Sequence, residues 1–363
     1  MSVIRKTFFH LILFIVILLS SSLACQAVTG IFEEDDGYYE ENYENEYESD
    51  FEEATEESAP DTYNSVTENN EPMANNICPV VTGNILSAAT QVEDDSDAEH
   101  EDETENQYLV TYQISSNEIN NPSYENVSGD LQSYQDDIAS HQQIWEHFVT
   151  LIPPGERTGL EEFMIVTDGE SNGLAAVAQT TYDPSLWVLE VDIVDSDDKL
   201  NLTYTLIHEY AHLLTLGPDQ VTPSETVFNN PDDDDIYYNE VSNCPDYFPG
   251  EGCSQSNSYI NAFFDAFWAD IHEEWQDINL IEDDDAYYEA LDQFYFDYED
   301  LFVTDYAATN PEEDIAEAFT FFVLSPRPNG DTIAEEKILF FYAYPELVQL
   351  RVEIMSGICS LNQ

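Results

Sequence analysis

The stretch Thr205-Leu206-Ile207-His208-Glu209-Tyr210-Ala211-His212-Leu213-Leu214 places two imidazoles and a carboxylate on one helical turn of an otherwise uncharged, apolar run. Residues four apart stack on one face of an α-helix, so His208 and His212 can share one metal ion while Glu209 leans over the water that the ion holds. Zinc lowers the pKa of its bound water from about 15.7 to about 7, and a neighbouring carboxylate can take the proton as the resulting hydroxide attacks a carbonyl. The spacing therefore reads as a zinc-hydrolase helix, with His208 and His212 as ligands and Glu209 as general base. Its flanks, residues 205–207, 210–211 and 213–216, carry no charge in a chain of 363 residues that holds 77 acids. A buried active-site helix requires that exclusion.

Two histidines do not hold a catalytic zinc; a third protein ligand is needed, with one position left open. Pro218 stands where the third histidine of an HExxHxxGxxH motif would fall, which removes that class. The candidate lies in Tyr306-Ala307-Ala308-Thr309-Asn310-Pro311-Glu312-Glu313-Asp314-Ile315-Ala316-Glu317-Ala318-Phe319. Pro311 sits where a helix would begin, Asn310 can cap it, and Glu313 and Glu317 then lie one above the other on one face. The spacing alone leaves either acid as ligand, and Tyr306 is equally a packing tyrosine at the helix entry. Glu312 and Asp314 point elsewhere.

The other candidates are weaker. His272 reads as a surface residue of an acidic helix, and His141 and His147 do not share a helical face. The acidic runs 232–235 and 282–285 match no EF-hand loop and read as solvated. No nucleophile elbow, phosphate loop or dinucleotide fingerprint is present.

On His208-Glu209-Tyr210-Ala211-His212 and the later run from Tyr306 through Thr309-Asn310 to Ala316-Glu317-Ala318-Phe319, the chain resembles the gluzincin metallopeptidases. The likeness is to the anthrax lethal factor type and to related zinc-binding peptidases of bacterial envelopes. The resemblance implies Zn2+ on His208, His212 and Glu313, and peptide or protein substrates. It further implies that Glu317 supports a zinc-bound histidine by accepting its other ring N–H, and that Tyr306 stabilises the oxyanion. It covers two short blocks and their order. The gap between His212 and Glu313 is much longer here than in that type, because of an insertion.

The elements that must position these residues follow from periodicity. Residues 131–149 have helical spacing, and 163–167, 175–181 and 187–193 look like strands of one sheet. The histidine helix enters from Asp197-Asp198 and Asn201 and leaves at Gly217-Pro218. A polar insertion spans 219–257. Helical periodicity then recurs over 259–275, 287–302, 315–324 and 333–358. This is the order of an α+β, zincin-like domain: a small sheet, the active-site helix, then a mostly helical C-terminal half, over residues 108–363.

The ends place that domain. Arg5 and Lys6 precede an apolar run from Phe8 to Leu19, and small residues lead to Cys25, so 1–25 reads as a lipoprotein signal with lipid on Cys25. Residues 26–107, rich in Glu, Asp, Asn, Ser and Tyr, read as an acidic disordered tether, with a segment around Cys78, Ile85 and Leu86 that could dock on the domain. Against 77 acids stand only 7 basic residues, a formal charge of −70 that makes nucleic acid an unsuitable partner. Cys244 and Cys253 bracket a turn-rich loop and are expected to form a disulfide in an exported chain; Cys78 and Cys359 are the residual pair. The reading is an exported, membrane-tethered zinc metallopeptidase. The rival is a non-catalytic acidic envelope protein whose zincin fold serves adhesion or cation binding; Glu209 argues against it, since a structural zinc needs no base.

Overall fold

The computed structural model describes residues 79–92, 106–169, 173–281 and 283–362. The leader, Cys25, Cys78 and most of the expected tether lie outside the described residues. The architecture is mixed α/β, with a small sheet and many helices. In chain order the elements are α1 (Pro79–Val92), β1 (Gln107–Ser115), β2 (Glu118–Tyr124), α2 (Gln132–Gln135), α3 (Ile138–Leu151), β3 (Leu160–Thr167), β4 (Ala175–Gln179), β5 (Trp187–Asp192) and α4 (Lys199–Leu216). There follow β6 (Val221–Pro223), α5 (Glu225–Phe228), α6 (Asp234–Asn243), β7 (Gly252–Ser254), α7 (Tyr259–Phe267), α8 (His272–Ile278), α9 (Asp284–Asp297), α10 (Pro311–Leu324), α11 (Ile333–Phe340) and α12 (Pro345–Leu361).

The sheet order is β2-β1-β3-β5-β4. β3 and β5 are parallel, and the remaining pairings are antiparallel. β5 is buried along its whole length, as a central strand covered on both faces must be. β2 and β4 are the edge strands, and α4 packs against β4. On its other side α4 packs against α10, so the histidine helix sits between the sheet and the helix that carries Glu313.

Local chemistry sets the helix ends. Asp198 caps α4 by accepting from the amides of Leu200 and Asn201, while Asn310 caps α10 by accepting from Glu313, with Pro311 in the first turn. The acidic runs proposed as solvated loops also cap: Asp233 starts α6 and Asp283 starts α9. Gly357 lets α12 lie close on α3, because a Cβ there would stand 2.3 Å from the Thr150 carbonyl oxygen.

Several expectations are refined. The helix expected over 131–149 is broken between α2 and α3, where Asp137 turns to cap the second piece by accepting from Ser140. The 259–275 helix is likewise two pieces, α7 and α8, separated at Trp268 and Ile271. β1 and β2 were not anticipated. α1 falls inside the stretch read as tether; its Ile85 is buried in the core, and it packs on α4 and α10, the docking anticipated for that segment. The insertion is built around the β6–β7 ribbon and a Cys244–Cys253 disulfide with its Cα atoms 5.5 Å apart. Cys359 is disulfide-bonded, and Cys78, its expected partner, lies outside the described residues. No described helix is long and apolar enough to cross a membrane.

Candidate metal centre

His208, Glu209 and His212 share the middle of α4, and all three are buried. α10 faces them with Glu313 and Glu317, each 2% exposed. His208 Nε2 lies 2.9 Å from Glu313 Oε2, His212 Nε2 lies 3.1 Å from His208 Nε2, and His212 Nε2 lies 3.4 Å from the same Glu313 oxygen. Three metal-binding atoms thus converge. Ligands held at about 2.0–2.1 Å in a tetrahedral array stand roughly 3.3 Å apart, so the residues present fit a small divalent ion.

The outer face of the cluster orients the His208 ring. Glu317 Oε1 accepts from His208 Nδ1 at 2.8 Å, so in the neutral ring the proton sits on Nδ1 and Nε2 offers its lone pair to the centre. Glu317 Oε2 is itself occupied, accepting 2.7 Å bonds from Tyr204 and Thr304. Glu313, by contrast, presents its carboxylate inward. Of the two acids that spacing could not separate, Glu313 is the one grouped with the histidines as a possible metal holder. His212 Nδ1 is buried with no hydrogen-bond partner, so only one of the two imidazoles is oriented from behind.

Electrostatics follow from burying acids and imidazoles together. Burial works against protonation of His208 and His212, but the carboxylates outweigh it and raise both. Burial would raise Glu313 too, yet the two histidines hold it far below the usual carboxylate range. Glu209 is pushed up to about 7 by burial; His212 and His208 and a bond from the Val177 amide oppose the rise, while Glu313 adds to it. Val177 belongs to β4, so the edge strand is tied to this carboxyl.

Tyr306 is brought to the same place, its ring centroid 5.9 Å from that of His208. The residue is 49% exposed, with its hydroxyl turned toward the carboxylate of Glu313 and desolvated there. That burial, then the charges of Glu313, Glu209 and Glu317, push its ionisation well above the ordinary tyrosine value. It remains a proton donor throughout the physiological range.

The rim comes from the insertion. Tyr247, inside the disulfide loop, stacks on Phe264 at 4.1 Å and donates to Glu312 Oε1 at 2.8 Å, so Glu312 is engaged with the loop beside the centre. Asp314 faces the protein interior and is bound by Lys337. His272 is half-buried: it stacks on Trp275 and meets Phe264 edge-on, and burial drives its pKa down to about 4. His141 and His147 are buried structural residues, paired with Tyr112 and Thr203 respectively.

Sequence reading missed Tyr204 and Thr304, because isolated hydroxyls carry no spacing signal. It also passed over Glu190, a buried acid in the apolar run Trp187-Val188-Leu189-Glu190-Val191, raised to about 7 by burial and then by Glu209. A lone carboxylate in a core strand was the available clue. A second metal-type group, Asp168, Asp192 and Asp195, lies where β5 leads into α4. Both Asp192 oxygens there accept backbone amides, of Asp168, Val194 and Asp195, which is the pattern of a turn. No protein-family model, no curated protein and no solved structure matches the chain.

Proposed function

We propose that the protein is an exported zinc-dependent metallopeptidase of gluzincin type with a zincin-like fold. One observation carries the reading: Nε2 of His208, Nε2 of His212 and Oε2 of Glu313 converge within 2.9–3.4 Å, with a non-ligand carboxyl, Glu209, beside them. Zinc suits two imidazoles and one carboxylate, whereas calcium and magnesium prefer all-oxygen sites. When bound, the ion supplies Lewis acidity, polarising a carbonyl and making water acidic enough to give up a proton near neutrality.

The chain's own groups do the rest. Glu209, with a pKa near 7, accepts a proton from water and returns it to the leaving amine, because a base is most useful when its pKa lies near the working pH. Tyr306, held protonated, donates to the oxygen on which charge develops. Glu317 keeps His208 in the correct tautomer through the 2.8 Å bond. Peptide bonds as the substrate rest on the gluzincin resemblance. Export and a lipid anchor at Cys25 rest on the leader sequence, with the Cys244–Cys253 disulfide fitting an oxidising compartment.

The test is one substitution with two readouts. Purified protein should bind one zinc per chain, and Glu209→Gln should retain it while losing peptide hydrolysis by a factor of about 10²–10⁴ or more, the scale of general acid–base contributions. Loss of the metal in Glu209→Gln, with a wild type inert on a peptide library, would reverse the assignment in favour of the non-catalytic acidic envelope protein.

A further inference from the structure

Lys337 is a misfit in its surroundings. The chain has 7 basic residues against 77 acids, and this one, on α11, is fully buried. Its ammonium contacts Asp314 Oδ2 at 2.5 Å and sits 4.2 Å from the centroid of the Phe302 ring, with Phe263, Phe267 and Trp268 around it. Trp268 Nε1 also donates to Asp314 Oδ2, at 2.7 Å, while Asp314 Oδ1 is buried with no partner. A buried pair with an unsatisfied oxygen is a poor stability device. Desolvating both charges costs several kcal/mol, which the attraction returns only when every lone pair is satisfied, and an apolar replacement is often as stable or more so.

The connections of this pair explain its presence better. Asp314 is the neighbour of Glu313 on the first turn of α10, and Phe302 opens the segment that carries Thr304 and Tyr306. Lys337 thus touches, from behind, both pieces of chain that furnish the metal centre opposite α4. Asn310 fixes the backbone of Glu313 by its cap, but a cap does not fix the rotation of a helix about its axis. An anchor on the adjacent residue, directed away from the centre, does.

We propose that Lys337 is a positioning residue for the metal ligands. Gripped by Asp314 and seated over Phe302, it locks α10 and the 302–306 segment in register, so that Glu313 and Glu317 meet His208 at bonding distance, Thr304 reaches Glu317 and Tyr306 lies beside the His208 ring. This rests on the metal-centre reading, and the experiment separates the two. Cobalt(II) is titrated into metal-free wild type, Lys337→Met/Asp314→Leu and Phe302→Leu, reading affinity and the visible d–d spectrum, with urea unfolding of each metal-free protein alongside. The double variant, which leaves no charge unpaired and only the Trp268 N–H without its acceptor, should remain folded yet bind cobalt about 10–100-fold more weakly, with a shifted spectrum, as loss of outer supports does. Phe302→Leu, which keeps the ion pair, should weaken binding several-fold with the same sense of spectral shift, and it decides the matter if the double variant does not fold. Wild-type affinity and spectrum in whichever of these variants folds would overturn the positioning role. A folded wild type that takes up no cobalt or zinc would overturn the metal-centre reading, and the positioning role with it.

Discussion

Glu313 and Glu317 are chemically identical and one helical turn apart, yet their surroundings assign them different work. Glu317 has its oxygens committed to His208, Tyr204 and Thr304, at 2.7–2.8 Å. Glu313 has an oxygen facing two imidazole nitrogens. Metal affinity should therefore rank wild type, then Glu317→Ala, then Glu313→Ala. Losing an outer partner typically costs about 10–100-fold, whereas losing one of three protein ligands should abolish tight binding. Tyr204→Phe combined with Thr304→Val should fall between wild type and Glu317→Ala, since the carboxylate remains but loses two donors. Competition against a chromophoric chelator measures all four, and an inverted order of the two alanine variants would move the ligand role to Glu317. At this scale the sequence showed much: His208, Glu209, His212 and the Glu313/Glu317 pair were visible because helical spacing is a local property. What separates the two acids is not local, because it depends on hydroxyls 113 and 13 residues away from Glu317.

At the scale of elements, α10 is held at both ends by unusual means. Two of the scarce basic residues serve it: Lys337 near the first turn, and Arg351, whose guanidinium donates to the carbonyls of Phe322 and Ser325 at the last. A cation there satisfies carbonyls that a helix C-terminus leaves open and complements the helix dipole. At the other end Asn310 accepts from the amide of Glu313 itself at 2.8 Å. Asn310→Ala should cost about 0.5–2 kcal/mol in urea unfolding of metal-free protein, with Asn310→Asp losing less because aspartate caps as well. Because the capped amide belongs to the proposed ligand, the alanine variant should also weaken metal binding; unchanged stability and affinity would show the cap to be idle. Asn310 and Pro311 announced this helix in the sequence, as did Asp198 for α4. The breaks at Asp136–Asp137 and after Phe267 were not legible, because apolar periodicity runs through them. The first is set by Asp137 turning to cap α3 and the second by where Trp268 and Ile271 pack, and neither holds a residue that forbids a helix. β2 escaped because its residues are largely polar and exposed, whereas β1, with Leu109, Val110 and Tyr112 in the core, begins at the boundary of the stretch read as tether.

For the molecule as a whole, the surplus of acid is a statement about the solvent it folds in. A formal charge of −70 repels itself in the compact state, and salt or protons relieve that repulsion. Inside the fold the signs can be worked out group by group. Burial raises Glu190, Glu209 and Glu312 to about 7 and Asp195 to about 6. A carboxyl with a raised folded-state pKa contributes stability that is fully present below its unfolded value near 4 and is lost as pH rises through 6–7. In metal-free protein the raised His208 and His212 act in the same direction. His147 and His272 oppose them: burial lowers both to about 4, so their contribution is present above about 6.5 and lost as pH falls toward 4. Asp314 joins the raised carboxyls, His141 joins the lowered histidines, and the raised groups outnumber the lowered ones between pH 8 and pH 5.5, so the melting temperature of chelator-treated protein should rise over that interval at low salt. Added sodium chloride should raise the pH 8 value most, because about 1 M salt shortens the screening length to roughly 3 Å and removes the surface share of the repulsion. The part that survives salt belongs to the buried groups, and Glu190→Gln should diminish it by mimicking the protonated acid at every pH. A melting temperature that falls steadily from pH 8 to pH 5.5 would mean that the histidines lowered by burial, His141, His147 and His272, and not the carboxyls, govern the stability of this chain.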